Sequence, residues 1–137
     1  MLYGLREAIA MLREEGYANV FARHLRHAEA TRRAVRAWGL EILCANPADY
    51  SAVLTAVVLP PGHDADKLRE IILRHFDMSL GMGLNKLKGK VFRIGHLGDL
   101  NEPMVLGALA AVEMSLRINN VPHGRGGVDA AMDFLAG

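Results

Sequence analysis

The spacing of apolar residues changes at Gly39, and that change limits the chain to folds that combine helices with a sheet. Ahead of it, Leu2, Leu5, Ile9 and Leu12 recur at helical intervals over Leu2 to Glu15, and Gly16 is a natural stop. Asn19 is placed to cap a second helix, in which Val20, Phe21, Leu25, Ala28, Val35 and Trp38 keep the spacing until Gly39 ends it. Beyond Gly39 the apolar runs shorten. Leu40 to Cys44 reads as a strand and Asn46-Pro47-Ala48-Asp49 as a turn. The run SAVLTAVVLP is apolar on both alternating faces, which predicts a central strand covered on both sides.

Pro60-Pro61-Gly62 ends that strand, and Asp64 is the expected cap of a helix carrying Leu68, Ile71, Ile72 and His75. Met78 to Leu80 and Val91 to Ile94 read as short strands joined by the loop GMGLNKLKGK. Pro103 lacks an amide hydrogen and belongs in a first helical turn, so Asn101 rather than Asp99 caps the last long helix. Val105, Leu109, Val112 and Leu116 are its expected buried face. His123 to Gly127 is a loop, and Val128 to Leu135 a short terminal helix. The order α-α-β-β-α-β-β-α with a tail predicts an α+β fold, a small mixed sheet covered by helices.

Composition narrows the classes. A chain of 137 residues with 51% hydrophobic and 23% charged residues can bury a core as one domain, and a formal net charge of +1 excludes a strongly basic binder. Cys44 is the only cysteine, which excludes an internal disulfide and a multi-cysteine zinc site. It is expected as a small core residue in a reducing, cytoplasmic setting. Ala52 to Pro61, the longest apolar run, is far short of the ~20 residues of a spanning helix, so no membrane partner is expected. The charged start, with Arg6, Glu7, Arg13, Glu14 and Glu15, does not read as a signal peptide.

Within KVFRIGH, strand alternation puts Phe92, Ile94 and His96 on one face and Val91, Arg93 and Gly95 on the other. Arg93 beside a bare glycine is a cationic fork facing open space, matched to a carboxylate or phosphate. A strand arginine paired with a local acid, or simply solvated, is the alternative. His96 lies on the loop leading from Arg93 to Asp99 and is the histidine to follow; His63, His75 and His123 are isolated.

Other patterns are weaker. Gly95-His96-Leu97-Gly98 has the GXXG form of a KH module but follows a strand, whereas that motif joins helices. Arg23, Arg26, Arg32, Arg33 and Arg36 against Glu29 form a basic helix face, which a solvated or subunit-contacting surface explains without nucleic acid. His24 and His27 share a helix face, yet neighbouring arginines repel a metal. Lys86, Lys88 and Lys90 sit in a glycine-rich loop where solvation is expected over Schiff-base chemistry. No nucleophile elbow, phosphate loop or acid-base pair of carboxylates is present.

The stretches LYGLREAIAMLREEGYANVFARH, AVRAWGLEIL, GLNKLKGKVFRIGHLGDLNE and VPHGRGGVDAAM resemble the C-terminal domain of serine-glyoxylate aminotransferases, class V enzymes of the pyridoxal-phosphate-dependent fold type I. The resemblance runs over nearly the whole chain. It implies a small, mainly antiparallel sheet covered by helices, residues 1–137 as the small domain, and 1–38 as a helical lead-in. It implies that Arg93 binds the carboxylate of a small amino or keto acid substrate, in a transfer of an amino group from serine to glyoxylate. Pyridoxal 5'-phosphate would serve the complete enzyme and would not be held specifically by this chain alone. The family's large domain, with the Schiff-base lysine, lies upstream of the point matching Met1. The expected state is therefore a shortened frame or fragment, inactive alone, partnered by a large domain or a second copy. A stand-alone carboxylate-binding or dimerisation module is the other reading.

Overall fold

The computed structural model describes Leu2–Gly137. Helices α1 (Leu2–Glu15) and α2 (Tyr17–Ala37) are separated by Gly16 alone, whose φ of 85° turns the chain in one residue. Asn19 is consequently not the cap. It lies inside the first turn of α2, and its Nδ2 donates to the Glu15 carbonyl at 2.8 Å. At the other end Gly39, at φ 70°, closes α2: Leu40 N donates to Val35 O at 3.1 Å and Gly39 N to Arg36 O at 2.9 Å. That pairing satisfies the last carbonyls and aims the chain into the sheet.

Four strands follow, β1 (Glu41–Ile42), β2 (Leu54–Val58), β3 (Gly81–Met82) and β4 (Val91–Gly95), in the spatial order β1-β2-β4-β3. Every pairing is antiparallel, so β2 and β3 run parallel to each other on either side of β4. Helix α3 (Ala65–Phe76) connects them, which makes a split βαβ unit. Asp64 caps α3 by accepting from Asp66 N at 2.8 Å. Asn101 caps α4 (Glu102–Ile118) by accepting from Met104 N at 3.0 Å, with Pro103 in the first turn. Helix α5 (Gly127–Ala136) closes the fold.

The register pairs Thr55 with Ile94 and Val57 with Phe92, so these four share a face. They are buried, and Val57, Phe92 and Ile94 join Leu68 and Ile72 of α3 and Leu109, Val112 and Leu116 of α4 in the core. Strand β2 is therefore not covered on both sides. Its Leu54, Ala56 and Val58 are only half-buried, because the helical layer lies on the opposite face. Two strands also differ from their sequence expectation. Strand β1 keeps only two residues because the chain leaves the edge of the sheet for the 3-10 turn Pro47–Asp49. Strand β3 forms at Gly81–Met82 rather than Met78 to Leu80, since Leu80 is drawn into the core and its carbonyl accepts from Arg69 Nε at 2.8 Å.

One buried polar knot joins three helices. Trp38 Nε1 donates to Glu113 Oε2 at 2.9 Å, Val128 N donates to the same oxygen at 3.2 Å, and Arg117 Nη2 donates to Oε1 at 2.6 Å. Burial pushes the Glu113 carboxyl up, but the hydrogen bonds from Trp38, Val128 and Arg117 outweigh it and hold it below the usual range. The GRGG segment is shaped by this knot: a Cβ at Gly127 would lie 2.0 Å from Trp38 Nε1, and one at Gly124 would lie 2.4 Å from the Ala37 carbonyl oxygen.

Candidate functional site

Arg93 occupies the middle of β4 on the half-open face of the sheet. Its cross-strand partners there are Ala56 on β2 and Gly81 on β3. The side chain lies over Gly81, so closely that a Cβ at that position would sit 3.0 Å from both Arg93 Cβ and Nε and 3.4 Å from Cζ. A Cβ at Gly95, two residues along the same face, would meet nothing within 4 Å. Gly81 thus lies directly against the arginine, and the position of Gly95 is open.

Among the described residues, no carboxylate pairs with Arg93. Its Nε is buried without a hydrogen-bond partner. The local-acid alternative is therefore not met. What stands on this face is an unneutralised planar fork on a rigid strand, an arrangement that can receive a carboxylate or phosphate through two parallel hydrogen bonds.

The basic face of α2 is largely consumed within the fold. Glu29 receives Arg32 at 3.1 Å, Arg33 at 3.3 Å and Arg36 at 3.0 Å. Burial raises the Glu29 carboxyl, while the hydrogen bonds from Arg32 and Arg36 more than reverse that and leave it lowered. Arg32 and Arg33 also lie over the rings of Tyr50 and Phe134, with Cζ 5.0 Å and 4.3 Å from the centroids. Arg23 binds Glu15 at 2.7 Å through Nε and donates through Nη1 to the carbonyls of Gly98 and Leu100. It thereby fastens the end of α1 to the loop after β4.

His96 is structural. It is buried, its Nδ1 lies 3.1 Å from the Ala52 carbonyl and its Nε2 2.9 Å from Thr55 Oγ1. Nδ1–H donates to the carbonyl, and Nε2 accepts from the hydroxyl. Burial pushes its pKa down to about 4, with the Ala52 bond opposing and the Arg32 charge adding, so the ring is neutral near pH 7. It points to the face opposite Arg93.

His24 is held by the Val20 carbonyl at 2.7 Å and accepts from Gly98 N at 3.2 Å. His27 is fully buried, with neither ring nitrogen hydrogen-bonded, and burial lowers its pKa against the opposing pull of Glu102. Among the described residues no group of three or more metal-ligating side chains forms. Cys44 is half-buried rather than a core residue, with Sγ 3.4 Å from the Asn46 carbonyl oxygen. The chain leaves the sheet before this residue can turn inward. Lys67, Lys86, Lys88 and Lys90 are all exposed. No described helix is long and apolar enough to cross a membrane.

A second surface feature was not read from the sequence. Helix α1 buries none of its residues: Leu2, Leu5, Ile9 and Leu12 face outward, and Phe21 and Leu25 of α2 are also exposed. Between these helices and the Leu97 to Glu102 loop runs an open, mainly apolar groove of about 1200 Å³. Helical periodicity identified an apolar face but could not say whether this chain covers it.

No family model matches the chain. It is 50% identical over 136 residues to serine–glyoxylate aminotransferase of Methylorubrum extorquens, covering 98% of this chain and 34% of that protein. The enzyme of the same name from Arabidopsis thaliana is 47% identical over 136 residues, again 98% of this chain and 34% of its own length. Among solved structures, ureidoglycine–glyoxylate aminotransferase from Bacillus subtilis superposes with a TM-score of 0.92 at 31% identity, over 99% of this chain and 35% of that one. The fold and these likenesses define the chain as homologous to the C-terminal part of the class V, pyridoxal-phosphate-dependent aminotransferases. Within that class it matches the serine–glyoxylate type, and it spans about a third of the length of the curated relatives it matches.

Proposed function

We propose that this chain supplies the substrate-carboxylate half of the active site of a serine–glyoxylate-type aminotransferase, with Arg93 as the carboxylate ligand. The observation that carries the reading is the unpaired Arg93 fork between Ala56 and Gly81, on the one sheet face that the helices leave half open. A carboxylate held by both arms of a guanidinium is fixed in plane and direction, which orients the α-carbon of a small amino or keto acid for reaction. Half-buried placement on β4 limits competing water, which strengthens the pairing.

Pyridoxal phosphate, when bound in the complete enzyme, supplies the electron sink for amino transfer. The residues present here do not fit the cofactor itself: all four lysines are exposed, and none has the desolvated setting that a Schiff-base lysine needs. In this reading residues 1–137 are the small domain, with 1–38 as a helical lead-in, and the chain is inactive alone. A large domain or a second copy covers the groove beside α1, whose exposed Leu12, Phe21, Leu25 and Leu97 form the kind of apolar patch that marks an interface. That same surface favours the second reading, a dimerising carboxylate-binding module.

The test is to fuse the chain behind the portion of the Methylorubrum extorquens enzyme that precedes its matched region and assay transfer from L-serine to glyoxylate. Activity is expected from the fusion and not from the 137-residue chain mixed with pyridoxal phosphate. Arg93→Gln in the fusion should raise KM for both substrates while the pyridoxal absorbance stays. Loss of that absorbance with KM unchanged would assign Arg93 to another task. Borohydride reduction of the chain with pyridoxal phosphate should give no stoichiometric pyridoxyl-lysine; a single-site adduct would overturn the division of labour.

A further inference from the structure

We propose that Gly81 is a positioning residue for Arg93: the bare backbone of edge strand β3 is the seat on which the guanidinium lies, so that a carboxylate is received end-on by the two Nη nitrogens. This rests on the carboxylate-binding reading above, and adds to it the direction from which substrate approaches.

Arg93 stands between two cross-strand neighbours of different size, Ala56 on β2 and Gly81 on β3. The arginine leans toward the glycine. Its Nε, Cβ and Cζ come so near the Gly81 backbone that an added Cβ would be 3.0 to 3.4 Å from all three, tighter than ordinary contact. Gly81 is not a left-handed position, so φ does not require glycine there. Closeness of approach is what remains to explain it, and β-strand glycines often mark such sites.

The consequence lies in which nitrogens are reachable. Nε is the Arg93 nitrogen that is buried without a partner, and among the described residues no side chain forms a salt bridge with the guanidinium. A guanidinium can present a carboxylate with either its Nε–Nη edge or its Nη–Nη end. With Nε pressed to β3, only the end is free. It opens over the half-exposed face where Gly95 also leaves space. A side chain at position 81 would lift the Nε flank, letting the fork swing and lose its fixed direction.

The experiment uses the 137-residue chain labelled with nitrogen-15, following the Arg93 Nε–Hε signal. In the wild type this proton should exchange slowly with water, and glyoxylate should perturb the Arg93 side-chain signals. Gly81→Ala, which needs only a small displacement, should speed the exchange. Gly81→Val, still suited to an edge strand, should speed it further and weaken glyoxylate affinity about tenfold or more, as misplacement of a binding group does. Gly95→Ala should leave the exchange rate unchanged. Wild-type exchange and affinity in both folded Gly81 variants would sink the seat. Failure of the underlying reading looks different: Arg93→Gln would bind glyoxylate as the wild type does, and the exchange rates would still decide the role of Gly81.

Discussion

Trp38 and Glu113, far apart in sequence, meet through a buried hydrogen bond of 2.9 Å that joins the end of α2 to α4 and, through Val128, to the start of α5. The indole N–H and the Val128 amide share one oxygen, so a single carboxylate decides where three helices meet. Glu113→Ala should destabilise the chain by about 3 kcal/mol, because it strands two donors away from water. The exposed Arg117 adds little to that figure. Gly127→Ala should be at least as damaging, since its Cβ would fall 2.0 Å from Trp38 Nε1. Denaturant midpoints at pH 7 check both; unchanged midpoints would show that the knot is dispensable.

His96 predicts a pH dependence. Its folded pKa is depressed to about 4 from 6.5, so the unfolded chain binds the proton first as pH falls. The stability that neutral His96 contributes is full above about pH 6.5 and is lost progressively between there and about pH 4, a total of roughly 3 kcal/mol. His27, lowered in the same direction, adds to the loss below its unfolded value. Glu29 and Glu113, whose pKa values are lowered, lose their contribution only as pH drops below 4.5. Denaturation of the wild type and His96→Gln across this range should show a flatter profile for the variant between pH 6.5 and pH 4.

Arg93→Lys keeps the charge and discards the fork. Bidentate sites do not accept that exchange, so carboxylate affinity should fall about tenfold although net charge is unchanged. Titration of the labelled chain with glyoxylate measures it. Equal affinity would mean that a point charge suffices and that the planar geometry is incidental.

The apolar groove predicts association. Phe21 and Leu25 are 63% and 56% exposed, so Phe21→Glu with Leu25→Glu should cost little folding stability. If the face is an interface between copies, sedimentation of the wild type should be concentration-dependent and that of the double variant should not. A monomeric wild type would leave the large domain as the occupant.

Much of the architecture was legible because it rests on local chemistry. Asp64 and Asn101 carry acceptor side chains at the helix starts they cap, Gly39 supplies the left-handed residue that ends α2, and Pro103 falls in a first turn. Where local signals competed, the reading slipped. Asn19 has the right chemistry for a cap, but Gly16 completes the turn with one residue, and Met78 to Leu80 is apolar enough for a strand that the core claims instead. His96 looked eligible for chemistry from its place beside Arg93, and Thr55 and Ala52 absorb both its nitrogens.

By itself the sequence determined the elements, their order and the odd cation in KVFRIGH, because caps, glycine stops and apolar periodicity act over a few residues. It also carried the likeness to the serine–glyoxylate enzymes. Only the tertiary structure decided which apolar faces are covered, that Arg23, Arg32, Arg33 and Arg36 of α2 are spent on Glu15 and Glu29, and that Arg93 lies on Gly81 with no acid paired to it among the described residues. Those facts depend on strand register and on which side the helices stack, relationships between distant residues that no local spacing encodes.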